Sequence, residues 1–180
     1  MIGAVVLAAG EASRFGSPKQ RLLLPEVLAR VRASARVDEI VVVTGAHAVD
    51  TDERTVHCAD WERGPGASLR CGLAAFSAET KAAVVVLADG PDLDPRAIDR
   101  VVDRWQEHRD PVVAAGYGGV RLHPVLLARE IWAAIPDEGA RGLEALELEC
   151  DDLSPPGDVD FADDVPERLK PSGSESSRVA

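Results

Sequence analysis

AVVLAAGEASRFGSPK (residues 4–19) joins a short apolar run to a loop that contains two glycines and two basic residues. The run does not alternate polar with apolar residues, which predicts a strand covered on both faces, as in a parallel sheet. Gly10 and Gly16 allow close backbone approach, and Arg14 and Lys19 supply positive charge. Because ligands of open α/β sheets bind beyond the carboxyl ends of strands, the loop is predicted to bind an anion such as a triphosphate.

Further valine-rich runs resemble the first and predict central strands at residues 39–44, 83–88 and 111–115, with a weaker strand at 55–58. Helical patterns separate these runs at residues 24–35 and 67–77, and a third helix follows Asp94. Strands that alternate with helices predict an α/β fold, a three-layer doubly wound and mostly parallel sheet.

The chain after Gly116 is less regular. Residues 124–135 and 139–149 have a helical pattern, the second with Leu143, Leu146 and Cys150 facing inward. Residues 153–164 are acidic and are expected to return toward the domain. We predict a single domain over residues 1–170, followed by a disordered tail, PSGSESSRVA, at residues 171–180.

Composition excludes several classes of partner. The 180 residues carry a formal net charge of −11, which argues against binding to nucleic acid or to an anionic membrane. The N-terminus reads as a buried strand and not as a signal peptide, and no apolar run approaches the ~20 residues of a membrane helix. We therefore expect a cytoplasmic protein. Cys58, Cys71 and Cys150 lack metal-site spacing and are expected to be small, partly buried apolar residues.

Several motifs occur in order along most of the chain. The first is LAAG-x-x-x-RFG-x-PK from Leu7, and further matches are DW-x-x-G-x-GASLR-x-GL at 60–73, LAD-x-P at 87–91, HPVL at 123–126 and GAR at 139–141. The series resembles the nucleotidyltransferases with a glycosyltransferase-A-like fold, Rossmann-like and shared with nucleotide-diphospho-sugar transferases. More narrowly, it is similar to the molybdenum cofactor cytidylyltransferase and guanylyltransferase branch.

This resemblance implies an enzyme that transfers a nucleoside monophosphate from an NTP to a phosphorylated acceptor and releases pyrophosphate, with Mg²⁺ as cofactor. The LAAG form accompanies cytidylyltransferases and favours CTP, and the implied acceptor is the molybdopterin cofactor. Asp89 follows a predicted strand directly, where a carboxylate can bind Mg²⁺ beside phosphate oxygens.

The resemblance also assigns residues to roles. The catalytic residues are Arg14, Lys19 and Asp89. The nucleotide-binding residues are Leu7, Ala8, Ala9, Gly10, Arg14, Gly16, Lys19, Gly66, Ser68, Gly72 and Asp89. The acceptor-binding residues are Pro91, His123, Pro124 and Arg141. The metal ligands are Asp89 and Asp160.

The sequence departs from the family pattern at three places. Gly90 follows Asp89 where relatives often carry Gln, Leu122 replaces the Gly before His-Pro, and Phe161 follows Asp160 in place of Thr. The residues alone also permit plainer roles: Asp89 as a turn former, Ser68 as a helix cap, and the acidic segment as a solvated loop.

Three other functions stay open. The acceptor can be a different phosphorylated small molecule, or the protein can be a catalytically silent chaperone that hands cofactor to an apo molybdenum hydroxylase. A third alternative is an oxidoreductase that reduces a quinone-like dye. The sequence contains no dinucleotide fingerprint or flavin motif that would favour it.

Overall fold

The computed structural model of the protein describes residues 1–11 and 19–170, without the side chains of residues 19, 20 and 162. Arg14, Gly16, the side chain of Lys19 and the predicted tail at 171–180 lie outside the described residues. The strands are β1 Ile2–Ala8, β2 Glu39–Thr44, β3 Arg54–His57, β4 Ala82–Leu87, β5 Val112–Tyr117, β6 Val120–Ala128 and β7 Leu146–Glu149. The α-helices are α1 Lys19–Arg32, α2 Pro65–Ala74 and α3 Pro95–His108.

The strands of the described residues form one sheet in the order β3-β2-β1-β4-β6-β5-β7. β1, β2, β3 and β4 are parallel, β6 is antiparallel to both of its neighbours, and β5 pairs with β7 in parallel. The chain leaves β1 toward β2 on one side and reaches β4 on the other. The carboxyl ends of β1 and β4 therefore meet where the strand order reverses, which is the usual ligand site of such sheets.

The sheet is covered on both faces, which confirms the predicted three-layer α/β fold. α1 and α3 pack on one face against alternate β1 and β4 residues such as Val6 and Val84. α2 and the irregular segments after β6 pack on the other face, against Val5 and Val85. Because both faces are buried, the strands need apolar residues at successive positions, and this explains their valine-rich sequence.

Helix α3 shows why its boundaries could be predicted. Asp94 caps it by accepting a hydrogen bond from the amide of Arg96 at 2.9 Å, and Pro95 occupies the first helical position. The helix ends at His108, and the next residue, Arg109, is its C-cap with a left-handed φ of 62°. Its buried residues recur at helical spacing, as expected.

The helix predicted at residues 124–135 is wrong. Residues 120–128 form β6, which pairs with both β4 and β5, and only Arg129–Ala134 is helical, as a 3-10 segment. Gly118 and Gly119 form the turn between β5 and β6 with φ values of 58° and 77°. A two-residue turn with both φ angles positive favours a β-hairpin, and this local geometry outweighs the apolar pattern that follows it.

The helix predicted at residues 139–149 is also wrong. Gly139–Gly142 forms a 3-10 segment and Leu146–Glu149 forms β7, which adds to the edge of the sheet beside β5. Cys150 is buried as expected, whereas Leu146 is 37% exposed. Pairing with β5 satisfies the backbone groups of this segment, so a helix has no advantage there.

The expectation for the cysteines holds for Cys150 and is corrected for the other two. Cys58, directly after β3, forms a disulfide with Cys71 of α2, with the Cα atoms 5.8 Å apart. Cys150 is a buried free thiol. No helix among the described residues combines the length and the apolar character needed to span a membrane.

Candidate functional site

The site is a crevice at the carboxyl ends of β1 and β4. These strands pair in register up to Leu7 and Leu87, and the amide of Ala88 donates to the carbonyl of Leu7 at 3.1 Å. The Ala9-Gly10 turn and Asp89 therefore leave adjacent strands at the same height. Ala9 is buried, Gly10 is exposed, and Asp89 is partly exposed. The structure thus brings the predicted glycine turn and the predicted metal carboxylate together.

The turn after β2 supports the β1 turn from the other side. Ala46 donates its amide to the carbonyl of Ala9 at 3.1 Å, and His47 donates from Nε2 to the carbonyl of Glu11 at 2.9 Å. A Cβ on Gly45 would lie 2.6 Å from Cγ of Trp61 and 2.6 Å from the carbonyl oxygen of Ala9. Gly45 is therefore required for the indole and the β1 turn to approach each other.

Helix α2 begins at this same edge of the sheet because it follows β3. Ser68 lies in its first half and is 4% exposed. Gly66 has a different role, because its amide donates to the carbonyl of Asp137 at 3.0 Å and a Cβ there would collide with the carbonyl oxygen of Pro136. Gly72 faces the sheet, where a Cβ would lie 2.7 Å from side-chain methyls. The structure therefore places Ser68 near the crevice edge and Gly72 at the helix–sheet contact.

The turn that carries Asp89 is held by residues 153–169, which we name the C-terminal strap. The amide of Val159 donates to the carbonyl of Asp89 at 3.0 Å, and the amide of Asp92 donates to the carbonyl of Pro156 at 2.9 Å. Asp160 follows Val159 directly and is partly buried. The pairing of Val159 with Asp89 thus brings Asp160 next to the predicted metal carboxylate.

The strap is itself anchored to the rest of the domain. Val159 and Val165 pack against Leu23 of α1. Arg168 donates to the carbonyl of Pro91 at 3.2 Å and pairs with Asp92. The strap therefore links the Asp89 turn to the beginning of α1, which is the helix that follows the glycine-containing loop.

His123 lies behind the Asp89 turn. It is 8% exposed, and a Cβ on Gly90 would lie 2.6 Å from its Nε2. Within the described part of the chain neither ring nitrogen has a hydrogen-bond partner. Burial lowers the pKa of His123 to about 4, against the opposing pull of the Asp89 carboxylate, so the ring is neutral at pH 7.

The other residues that the family resemblance predicts to bind the acceptor are dispersed. Pro91 and Pro124 are buried beside Asp89 and His123 in the sequence, whereas Arg141 is exposed on the 3-10 segment Gly139–Gly142. That segment packs against the beginning of α2, where a Cβ on Gly139 would lie 3.4 Å from the Gly66 amide. Arg141 is thus on the α2 side of the sheet, near the beginning of α2 and not beside His123.

Residues to which the sequence analysis assigns no role also shape the site. Trp61 and Gly45 support the β1 turn, and Pro156 and Val159 hold the Asp89 turn. In the sequence, the strap is marked by apolar residues such as Val159 and Val165 that stand alone among prolines and acidic residues, and both are buried.

The donor set at the crevice fits a divalent cation that is shared with a phosphate. Among residues 1–11 and 19–170 no three acidic, His or Cys side chains form a metal cluster. Asp89 and Asp160 are brought together by the strap, and two carboxylates completed by phosphate oxygens and water are a usual shell for Mg²⁺. The residues present therefore suit a metal that arrives with a nucleotide.

The fold and crevice define a doubly wound α/β protein with a candidate ligand site at the switch point of its sheet. The sequence matches the family described as MobA-like NTP transferase domain over residues 4–150. The chain belongs to this family of nucleotidyltransferases, as its motifs predict. No curated protein matches it significantly.

Several solved structures share the fold of this chain. Rv0371c from Mycobacterium tuberculosis H37Rv is 27% identical with a TM-score of 0.74, over 93% of this chain and 97% of that chain, and it has also been solved with manganese. A nucleotidyl transferase from Methanothermobacter, Mth528, is 23% identical with a TM-score of 0.69, over 91% and 94%. CMP:2-keto-3-deoxy-manno-octonic acid synthetase complexed with CTP shares the fold at 12% identity and a TM-score of 0.69, over 89% and 93%.

Proposed function

We propose that this protein transfers CMP from CTP to the phosphate of a molybdopterin-type acceptor, with Mg²⁺, and releases pyrophosphate. The observation that carries the proposal is the position of Asp89, level with the β1 glycine turn at the switch point of the sheet. This arrangement suits a triphosphate that lies across the ends of β1 and β4 with its cation at Asp89.

The reaction requires positioning and charge neutralisation more than covalent chemistry. An oxygen of the acceptor phosphate forms a bond to the α-phosphorus of the nucleotide while the bond to pyrophosphate breaks. We assign Arg14 and Lys19 to the charge of the leaving pyrophosphate and Asp89 and Asp160 to the cation. Asp89 and Asp160 would hold this cation, which would supply Lewis-acid polarisation of the α-phosphate when bound.

The nucleobase is assigned to the space between the β1 turn and the beginning of α2. Buried Ser68 can read a base edge there, and the Ala8-Ala9 form of the turn favours cytosine by family resemblance. Trp61, packed over Gly45, gives this end of the crevice a fixed wall. The CTP complex of a structure with this fold is consistent with that choice of donor.

The acceptor is assigned to the side of Asp89 that holds Pro91, His123 and Pro124. The neutral His123 ring is suited to an uncharged heterocycle such as a pterin, since it brings no charge of its own. Arg141 is assigned to an anionic group of the acceptor. The partner that would receive the finished cofactor is an apo molybdenum hydroxylase, and cytoplasmic location remains our expectation.

The test is pyrophosphate release with Mg²⁺, a molybdopterin-type acceptor and each NTP in turn. We expect release with CTP, a loss of at least about 100-fold in Asp89→Asn, and a large loss in Asp160→Asn. Asp158→Asn is the matched control, because Asp158 is an exposed acid two residues from Asp160 on the same strap. Equal losses in the 158 and 160 variants would refute the role of Asp160.

The same assay separates the alternatives. Acceptor binding without pyrophosphate release from any NTP would refute the transferase and support the cofactor chaperone. Release only with another phosphorylated acceptor would refute the molybdopterin assignment and keep the transferase. Titration of Mn²⁺ in place of Mg²⁺, followed by its electron paramagnetic resonance signal, measures metal binding in Asp89→Asn independently of turnover.

A further inference from the structure

The disulfide joins the end of the parallel part of the sheet to the helix that borders the crevice. Cys58 follows β3 and is fully buried, whereas Cys71 lies in α2 and is partly exposed. The two residues are 13 positions apart in the sequence. The bond therefore closes a short loop, residues 59–70, which we name the base segment.

The base segment contains the residues that we assign to the nucleobase. It carries Trp61, which packs over Gly45 of the β2 turn, and Ser68, which is buried at the beginning of α2. Its other bonds lead away from the strand ends: Arg70 donates to the carbonyl of Ile135 and pairs with Asp137 at 2.8 Å.

The disulfide is thus the covalent link between the base segment and the sheet edge. Noncovalent links there include the amide of Cys58, which donates to the carbonyl of Thr44 at 2.8 Å, and the packing of the Trp61 ring. Leu69 of the same segment is also buried in the core, in one cluster with Val41 and Val43. A covalent closure of this kind restricts the conformations of the enclosed segment and holds it in its binding geometry.

We propose that Cys58–Cys71 is a reversible thiol–disulfide site, and that its oxidised form binds the nucleotide more tightly than its reduced form. The exchange partner is a low-molecular-weight thiol and its disulfide, of which glutathione is the probe. Disulfides of cytosolic proteins are usually redox-sensing or catalytic, which suits a protein with a predicted cytoplasmic location. The nucleotide part of this proposal rests on the proposed function.

The difference in exposure between Cys58 and Cys71 determines which sulfur the reductant attacks first. A thiolate of the reductant attacks Sγ of Cys71, forms a mixed disulfide there, and expels Cys58 as a thiolate that takes up a proton. A second thiolate attacks the reductant's sulfur, releases the oxidised reductant and leaves Cys71 as a thiol. The oxidised form of the same couple reverses both steps, so electrons and protons balance.

The reduced state has a place for the buried thiol. Sγ of Cys58 lies 3.5 Å from the carbonyl oxygen of Ala67, which can accept a hydrogen bond from the thiol once the disulfide is open. Cys150 belongs to the core on the opposite face of the sheet and takes no part. We therefore expect the reduced protein to stay folded with a less restrained base segment.

The first test counts thiols after equilibration in glutathione buffers of graded ratio, with quenching and denaturation before labelling. We expect three reactive thiols in reducing buffers and one in oxidising buffers, with a reversible change between them. Cys71→Ser should show two reactive thiols at every ratio. A disulfide that never forms, or that resists reduction in the folded protein at all ratios, would overturn the proposal.

The second test measures binding of Mg²⁺–CTP by calorimetry to the oxidised protein, the reduced protein and Cys71→Ser. We expect binding to weaken about three- to tenfold on reduction, because the segment must then be ordered by the ligand, and Cys71→Ser to match the reduced form. Cys150→Ser is the control and should keep the redox response of the wild type. Equal affinities in the two redox forms would overturn the regulatory role.

The two tests separate the failure of this proposal from that of the proposed function. If neither redox form binds CTP or any other NTP, the proposed function fails and the regulatory role fails with it. The thiol count decides the reversibility of the disulfide in either case, and the reduced wild type provides the comparison if Cys71→Ser does not fold.

Discussion

Replacement of Gly90 by Ala is the substitution that should disturb the Asp89 turn most directly. A Cβ at this position would lie 2.6 Å from Nε2 and 2.8 Å from Cε1 of His123, and 3.1 Å from Cβ of Pro156. No positive φ is recorded for Gly90, so the effect is steric and does not arise from backbone strain. The methyl group can be accommodated only if the ring or the strap moves.

The expected cost follows from the burial of all three residues. Gly90, His123 and Pro156 are buried, so the ring cannot move into solvent without breaking the packing behind the turn. Overpacking of this kind costs about 1–3 kcal/mol. His123→Ala alone leaves a cavity and also destabilises the protein, but the Gly90 methyl can enter that cavity in the double variant. We expect a coupling energy of at least about 1 kcal/mol in the compensating direction.

Urea unfolding of the wild type, the two single variants and the double variant measures this coupling. Gly116→Ala is the matched control, because it is also buried while its nearest atom would be 3.8 Å away. We expect it to be neutral or to stabilise the protein by up to about 1 kcal/mol, since glycine is unfavourable inside a strand. Additive losses at positions 90 and 123, or a Gly90→Ala variant as stable as the wild type, would refute the steric account.

Two further predictions concern stability. Burial depresses the pKa of His123 from 6.5 to about 4, so the unfolded state binds more protons than the folded state between these pH values. The free energy of unfolding of the metal-free protein should therefore fall by up to about 3 kcal/mol as the pH decreases from 6.5 to 4. Urea unfolding across this range measures the loss, and His123→Gln should show a weaker pH dependence. Gly66→Ala should destabilise the protein by about 1–3 kcal/mol, because its methyl would collide with the Pro136 carbonyl and break the contact of α2 with the 135–137 loop. Thermal unfolding checks this, with Gly116→Ala as the control because a Cβ there would make only ordinary van der Waals contacts.

The first two thirds of the fold were predictable because local and global signals agree there. The valine-rich runs that became β1, β2 and β4 are too short for helices and lie between helical patterns. Asp94 and Pro95 mark the beginning of α3 by satisfying or removing amides that the first turn leaves unpaired.

The elements of the last third were predicted wrongly because its apolar residues fit both the helical and the strand period. Residues 124–128 are a run of five nonpolar positions, which pattern alone cannot assign to a strand or a helix. The deciding signal was Tyr117-Gly118-Gly119-Val120, two adjacent glycines in a tight turn that commits the chain to a hairpin.

The candidate site likewise has one part that could be predicted from the sequence and one part that could not. The positions of Asp89 and Gly10 at the sheet edge could be predicted because each lies two residues after the end of a strand that the sequence identifies. The contacts of the strap and the Cys58–Cys71 pair could not, because they depend on tertiary proximity between segments that carry no shared motif. The structure therefore adds the tertiary contacts of the strap and of the disulfide to the candidate site.

One departure from the family pattern, Gly90, is related to the position of His123 in this structure. Relatives often carry Gln after the metal carboxylate, whereas Gly90 leaves the space into which the His123 ring points. A Gln at position 90 cannot coexist with the ring in its present place, so Gly90→Gln should displace His123 from its position on the proposed acceptor side. If the acceptor is read there, this variant changes KM for the acceptor while KM for CTP stays constant. A change in KM for CTP alone would place the acceptor elsewhere and refute the division of the crevice.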